Sequence, residues 1–182
     1  MASVVRSGPV PTSVAGEPAP AVDDALERRR ELGQDLFDEV WEGVYLMSPG
    51  PSSAHAIVDS QLVVLLHPYA TAAGLVGTGI FNLGEPNNYR VPDGAYHRGV
   101  PTGMYVPTAA IVVEIVSPGD RTWKKFSFYA AHDVSELLIA DPDARTVRLF
   151  ARRDAGDGYD EVAASALLDI TADQLTEGIT WP

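Results

Sequence analysis

Apolar positions recur along this chain in two rhythms. Over residues 52–73, Ala54, Val58, Leu62, Leu65 and Tyr69 return every three or four positions. That is the stripe of a core-facing helix, which Ser52 or Ser53 can cap. Elsewhere the apolar residues come in short runs bounded by Gly and Pro, the patterning of strands. Residues 37–47 predict a strand pair or one strand with a bend at Gly43, 75–83 a strand, 84–88 a turn, and 89–97 a strand with Val91, Asp93 and Ala95 on one face. The run 109–116, between Pro107 and Pro118, holds seven apolar residues and one carboxylate, Glu114, and predicts a buried central strand. Asp120 or Thr122 can cap a helix to about 132, followed by a strand over 134–140 and a turn over 141–144. Strands over 146–151 and 159–163 and a helical turn over 171–175 complete the chain. At its start, Asp23 and Asp24 can cap a helix to about Leu32 that Gly33 ends, with Arg28, Arg29 and Arg30 on its solvated face. The order of elements predicts an α/β (mixed α+β) fold, a mixed central sheet flanked by helices.

Composition narrows this picture. The 182 residues suit one domain with a sizeable core, expected over 23–182. Residues 1–22, rich in Pro, Ala, Gly and Ser, read as a disordered tail. The absence of cysteine removes disulfides and thiolate metal sites and fits a cytoplasmic setting. No run is apolar for long enough to predict a membrane span. Thirteen basic and 25 acidic residues leave a net charge of −12, which argues against a broad surface coating nucleic acid. The charge is uneven, however. Residues 89–132 hold five basic residues against three acidic ones, a local +2 in an acidic protein. A positive locality of that kind is compatible with a phosphate substrate.

The chemistry is concentrated in the same segment. A carboxylate inside a buried strand needs a partner, so Glu114 must meet a cation or donors. Asp93 lies 21 positions earlier, on what reads as the preceding strand of the same sheet. If those strands pair, the two acids converge at one edge, as hard oxygen ligands for Mg²⁺, for which Mn²⁺ can substitute. The chain has only two lysines, Lys124 and Lys125, and Lys125 follows Glu114 by eleven positions. From the next helix, a lysine can reach back to balance charge on a scissile phosphate. The plainer reading makes Asp93 a turn acid and pairs Glu114 structurally. His55, in the first turn of the long helix, is either a histidine satisfied by one hydrogen bond or a contact to the site or to phosphate.

Several motifs carry a family resemblance: the run from Phe37 through Glu39 to Pro49, Val91-Pro92-Asp93, Val113-Glu114-Ile115-Val116-Ser117-Pro118, Lys125 to Tyr129, and Val134 to Pro142. In this order and spacing the sequence resembles the Uma2 family of restriction-endonuclease-like proteins, within the PD-(D/E)XK nuclease superfamily. The resemblance implies a restriction-endonuclease-like core with a metal site at one side of the sheet. It implies Asp93 and Glu114 as metal-binding acids, Glu39 as a further catalytic acid, and His55 as the histidine of the following helix. The superfamily lysine two places after the glutamate is here Val116, and the resemblance moves that role to Lys125, with Lys124 as its rival. Ser117 and Tyr129, inside the matching motifs, are accessory candidates. The implied activity is Mg²⁺-dependent DNA endonuclease chemistry by metal-activated water, with a homodimer for cutting both strands. The alternative is a nuclease-fold protein that binds nucleic acid or a protein partner without cutting.

Overall fold

The computed structural model describes residues 20–119, 121–154 and 158–182, with side chains from Asp24 onward. Of the expected tail, 1–19 lies outside the described residues, as does Asp120. The chain order is α1 (Pro20–Glu31), β1 (Glu39–Trp41), β2 (Val44–Leu46), α2 (Ser53–Ala72), β3 (Val76–Thr78), β4 (Asn82–Glu85), β5 (Asn88–Arg90), β6 (Gly94–His97), β7 (Tyr105–Val106) and β8 (Ile111–Ile115). A 3₁₀ turn (Thr122–Lys125) then leads into α3 (Phe126–Ala131), β9 (Glu136–Asp141), β10 (Thr146–Arg152), β11 (Tyr159–Val162), β12 (Ala164–Ser165), β13 (Ile170–Thr171) and α4 (Ala172–Gly178).

The central sheet has six strands in the order β11-β10-β9-β8-β6-β3 and is mixed, because β8 and β9 run parallel while the other neighbours are antiparallel. A second sheet of five strands, β2-β1-β5-β4-β7, stands beside it. Two expected strands are each split between these sheets. The run 75–83 breaks around Gly79 into β3 and β4, and the run 89–97 breaks at Val91-Pro92-Asp93 into β5 and β6. Pro92 has no N–H to give a ladder, so the chain leaves one sheet there and enters the other.

Helices cover both faces of the six-stranded sheet. Val58, Leu62, Leu66 and Ala70 are the buried face of α2, and with Leu175 of α4 they pack on Ile111, Val113 and Ile115. The stripe therefore runs through Leu66 and Ala70, with Leu65 and Tyr69 only partly buried. The run Val63-Val64-Leu65-Leu66 is apolar throughout, so sequence alone could not choose its inner pair. Ser52 caps α2, its side chain accepting from the N–H of His55 at 3.2 Å. On the opposite face Val112 packs with Phe128 and Tyr129 of α3. Side chains alternate along a strand, so Glu114 shares that face with Val112.

Other elements follow the residues closely. The β1–β2 hairpin turns at Glu42 and Gly43, both with positive φ. Asp141 Oδ1 accepts from the N–H groups of Asp143 and Ala144. Thr171 and Gln174 form a reciprocal capping box at α4. Helix α1 begins at Pro20, ahead of the expected Asp23 cap. Its Arg29 is not merely solvated: it meets buried Asp38 at 2.8 Å and ties the helix to the hairpin.

Candidate active site

The five-stranded sheet, the end of β8 and the 3₁₀ turn meet around three ionisable groups. Glu39, Glu114 and Lys125 are 6%, 3% and 7% exposed. Lys125 Nζ lies 2.9 and 3.1 Å from the two oxygens of Glu114 and 3.0 Å from Glu39 Oε1. Tyr129, four residues along from Lys125, donates its hydroxyl to Glu114 Oε1. Glu39 also accepts from the Val91 N–H at 2.8 Å and from Trp41 Nε1 at 2.7 Å. The partner that a buried Glu114 required is thus a lysine from the element that follows it.

Asp93 sits at the strand break, just ahead of β6. Because Gly94 pairs with Val113, the loop carboxylate reaches the end of β8, and its Oδ2 accepts from the Ile115 N–H at 2.7 Å. Its Oδ1 lies 2.9 Å from His55 Nε2, and His55 Nδ1 lies 3.1 Å from Ser117 Oγ. His55 therefore joins the first turn of α2 to Asp93 and to the loop after β8.

Electrostatics tie the two halves together. Burial pushes the Glu114 carboxyl up to about 8; Lys125 and the Tyr129 hydrogen bond pull it down, and Asp93 and Glu39 push it further up. Burial alone would lower the Lys125 ammonium, but Glu114 and Glu39 outweigh it and hold it above its usual value. One ammonium serves two buried carboxyls, so the cluster favours one more positive charge, which a proton on Glu114 or a bound cation would supply.

Sequence reasoning named most of this constellation. Glu39, Asp93, Glu114, Lys125, His55, Ser117 and Tyr129 are brought together, and Lys124 is not: it is exposed and faces a different pocket. Two members were missed. Trp41 shares a strand face with Glu39, two positions away. Asp59, one helical turn after His55, has its carboxyl pushed up by burial and then by Asp93, while His55 pulls it down. The period-2 and i,i+4 spacings were the signals that could have found them.

The Uma2 family model, described as "Putative restriction endonuclease", matches residues 25–181. The chain belongs to the Uma2 family. Its fold is also similar to that of a DUF820 protein from Anabaena variabilis ATCC 29413, described as a putative nuclease. That match has a TM-score of 0.63 at 15% identity, over 78% of this chain and 90% of the other. No curated protein matches the sequence. Family and fold together make this Uma2 chain a member of a nuclease-like class with a mixed central sheet.

Whether the site suits a divalent cation turns on its donors. Among the described residues no group of three or more His, Cys, Asp or Glu is arranged to hold a metal. Mg²⁺ does not require one, since it keeps several waters and takes one or two carboxylates plus substrate oxygens. Asp93 and Glu114 are such a pair, one at the break just ahead of β6 and one on the neighbouring β8, electrostatically coupled, and Glu114 favours added positive charge. Such a pair would suit a hydrated magnesium ion and not a closed protein cage.

Proposed function

We propose that this Uma2 protein is a Mg²⁺-dependent DNA endonuclease that hydrolyses phosphodiester bonds. The observation that carries the reading is the bridge Glu39–Lys125–Glu114 beside Asp93, at one end of the central sheet. Asp93 and Glu114 would hold Mg²⁺, and Mn²⁺ in its place. When bound, the ion supplies charge for the scissile phosphate and an acidified water. Lys125 places a permanent positive charge beside Glu114, where negative charge develops on phosphate oxygens. Glu39 and Tyr129 hold that lysine and its carboxylate partner in position. His55 fixes the Asp93 carboxylate from the side opposite the Ile115 N–H. Cutting both strands of a duplex needs two such sites, so a homodimer belongs to this reading, as does a cytoplasmic setting. Among the described residues no helix is long and apolar enough to cross a membrane.

Purified protein tests the reading on supercoiled plasmid. Nicking that requires Mg²⁺ or Mn²⁺ and is lost in both Asp93→Ala and Lys125→Ala is the expected result. Metal-independent nicking, or nicking that survives Asp93→Ala, sinks it. The non-cutting alternative has its own support. Every carboxylate oxygen of Asp93 and Glu114 already has a protein partner, and Glu114 is almost wholly buried. DNA binding without cleavage at any metal concentration would select it.

A further inference from the structure

The 3₁₀ turn carries two adjacent lysines with different fates. Lys125 is buried in the cluster, and Lys124 is exposed. Lys124 lines a separate open pocket of about 410 Å³ together with Trp41, Glu42, Asn88, Arg90 and Ser127. On the helical side, Lys124, Ser127 and Phe128 recur at offsets of three and four, which puts them on one face.

Arg90 is the unusual member. It is 2% exposed, and its guanidinium lies 4.2 Å from the Trp41 ring centroid and 4.0 Å from that of Phe128. Its Nη1 donates to the Val40 carbonyl and to Asn88 Oδ1, and its Nη2 to Glu42. Its Nε is buried and has no hydrogen-bond partner among the described residues. Its ion pair is with Glu42, which is 72% exposed and therefore screened, and the buried Glu39 carboxylate also acts on it. A buried cation, an exposed lysine and a serine hydroxyl, set against the exposed carboxylate of Glu42, make a lining that suits an anion. An apolar side chain gains nothing from it; an oxyanion such as a phosphate does.

The pocket also abuts the acidic cluster. Trp41 donates to Glu39 Oε2, Lys124 precedes Lys125, and Phe128 precedes Tyr129. We propose that this pocket binds a backbone phosphate of a nucleic acid strand, next to the phosphate presented to Asp93 and Glu114. The proposal rests on the nuclease reading and adds to it a second phosphate contact through the exposed Lys124 and Ser127, with the buried charge of Arg90 behind them.

Anisotropy of a short labelled DNA duplex, in EDTA so that nothing is cut, tests it without reference to cleavage. Wild type is compared with Lys124→Gln, Lys124→Glu and a control, Arg98→Gln. Arg98 is exposed and follows β6, at the opposite end of the sheet from the cluster. Lys124 is exposed too, so its variants fold. Expected is a several-fold weaker affinity for Lys124→Gln, a larger loss for Lys124→Glu, and a drop of about one in the slope of log affinity against log salt. The control keeps wild-type affinity. Titration with inorganic phosphate, followed by the Trp41 indole N–H resonance, separates a nucleic acid site from a small-anion site. Phosphate binding without duplex binding overturns the proposal. Duplex binding with the same affinity and salt slope in wild type and Lys124→Gln also overturns it, and leaves the nuclease reading standing. Absence of both duplex binding and cleavage in wild type overturns both.

Discussion

Replacing Glu114 with Gln should remove a pH dependence and leave most of the stability. The carboxyl is 3% exposed and its pKa is raised from 4.5 to about 8. A group whose pKa is higher folded than unfolded stabilises the protein fully below its unfolded value. That stabilisation is then lost as the pH rises to the folded value. For Glu114 the window runs from 4.5 to about 8. At about 1.4 kcal/mol per unit, the whole shift corresponds to an upper limit of roughly 5 kcal/mol. Lys125 does not offset this, because its own raised pKa keeps it charged throughout the window. Glutamine mimics the protonated acid: it can accept from Tyr129 and Lys125, and Lys125 keeps Glu39. Urea unfolding in EDTA at several pH values from 5 to 9 is the assay. Wild type should lose several kcal/mol across the range, while Glu114→Gln loses much less and at about pH 6 stays within roughly 1 kcal/mol of wild type. The affinity for Mn²⁺, read from the metal-induced rise in melting temperature, should fall sharply in the variant. A flat wild-type profile, or a loss of about 3 kcal/mol or more in Glu114→Gln at pH 6, would mean that the ionised Glu114–Lys125 pair is the native state. Either result would refute a proton on Glu114 near neutral pH.

Lys125→Met leaves Glu39 and Glu114 facing each other without their shared cation. It should cost about 3–5 kcal/mol at neutral pH; urea midpoints check it. Asp38→Ala removes one acceptor, 1% exposed, from Arg29, the Tyr45 hydroxyl and the Ser48 N–H. Its cost should be about 3 kcal/mol, with α1 loosened from the hairpin as faster amide exchange. Leu62→Ala, at 1% exposure in the centre of the α2 face, should cost about 3–5 kcal/mol in the same unfolding assay.

The helix and the central strand were readable because each has an unambiguous rhythm. Val58 and Leu62 lie a turn apart, and 109–116 is apolar except for one acid. The candidate site was readable for a related reason: a carboxylate in a buried strand must be answered, and only two lysines exist to answer it. The choice between them was not readable. Lys124 and Lys125 are neighbours, and the unforeseen 3₁₀ turn, not an α-helical start, decides which one is turned inward. Nor was the second sheet. Patterns of period two say which face of a strand is buried but not which sheet it joins, so runs containing Gly79 or Pro92 were read as continuous strands.

That failure and the site have one physical origin. Because Pro92 cannot donate to a ladder, the chain between β5 and β6 is released from both sheets, and Asp93 stands in the gap. A residue within a regular strand would have its backbone fixed by both neighbours and its side chain fixed to one face. At the break, Asp93 instead receives the Ile115 N–H from the end of β8 and meets His55 from α2, on the other layer. The residue just before Pro92, Val91, gives its own N–H to Glu39 and so anchors the third acid. One interruption of the strand pattern thus brings acids from β1, the break and β8 to a single edge. Restoring a ladder donor at position 92 should therefore disturb the site before it disturbs the fold. Pro92→Ala is expected to keep the cooperative unfolding of wild type within about 1 kcal/mol, while the Mn²⁺-induced rise in melting temperature shrinks. An unchanged metal response in that variant would show that the proline does not set the position of Asp93.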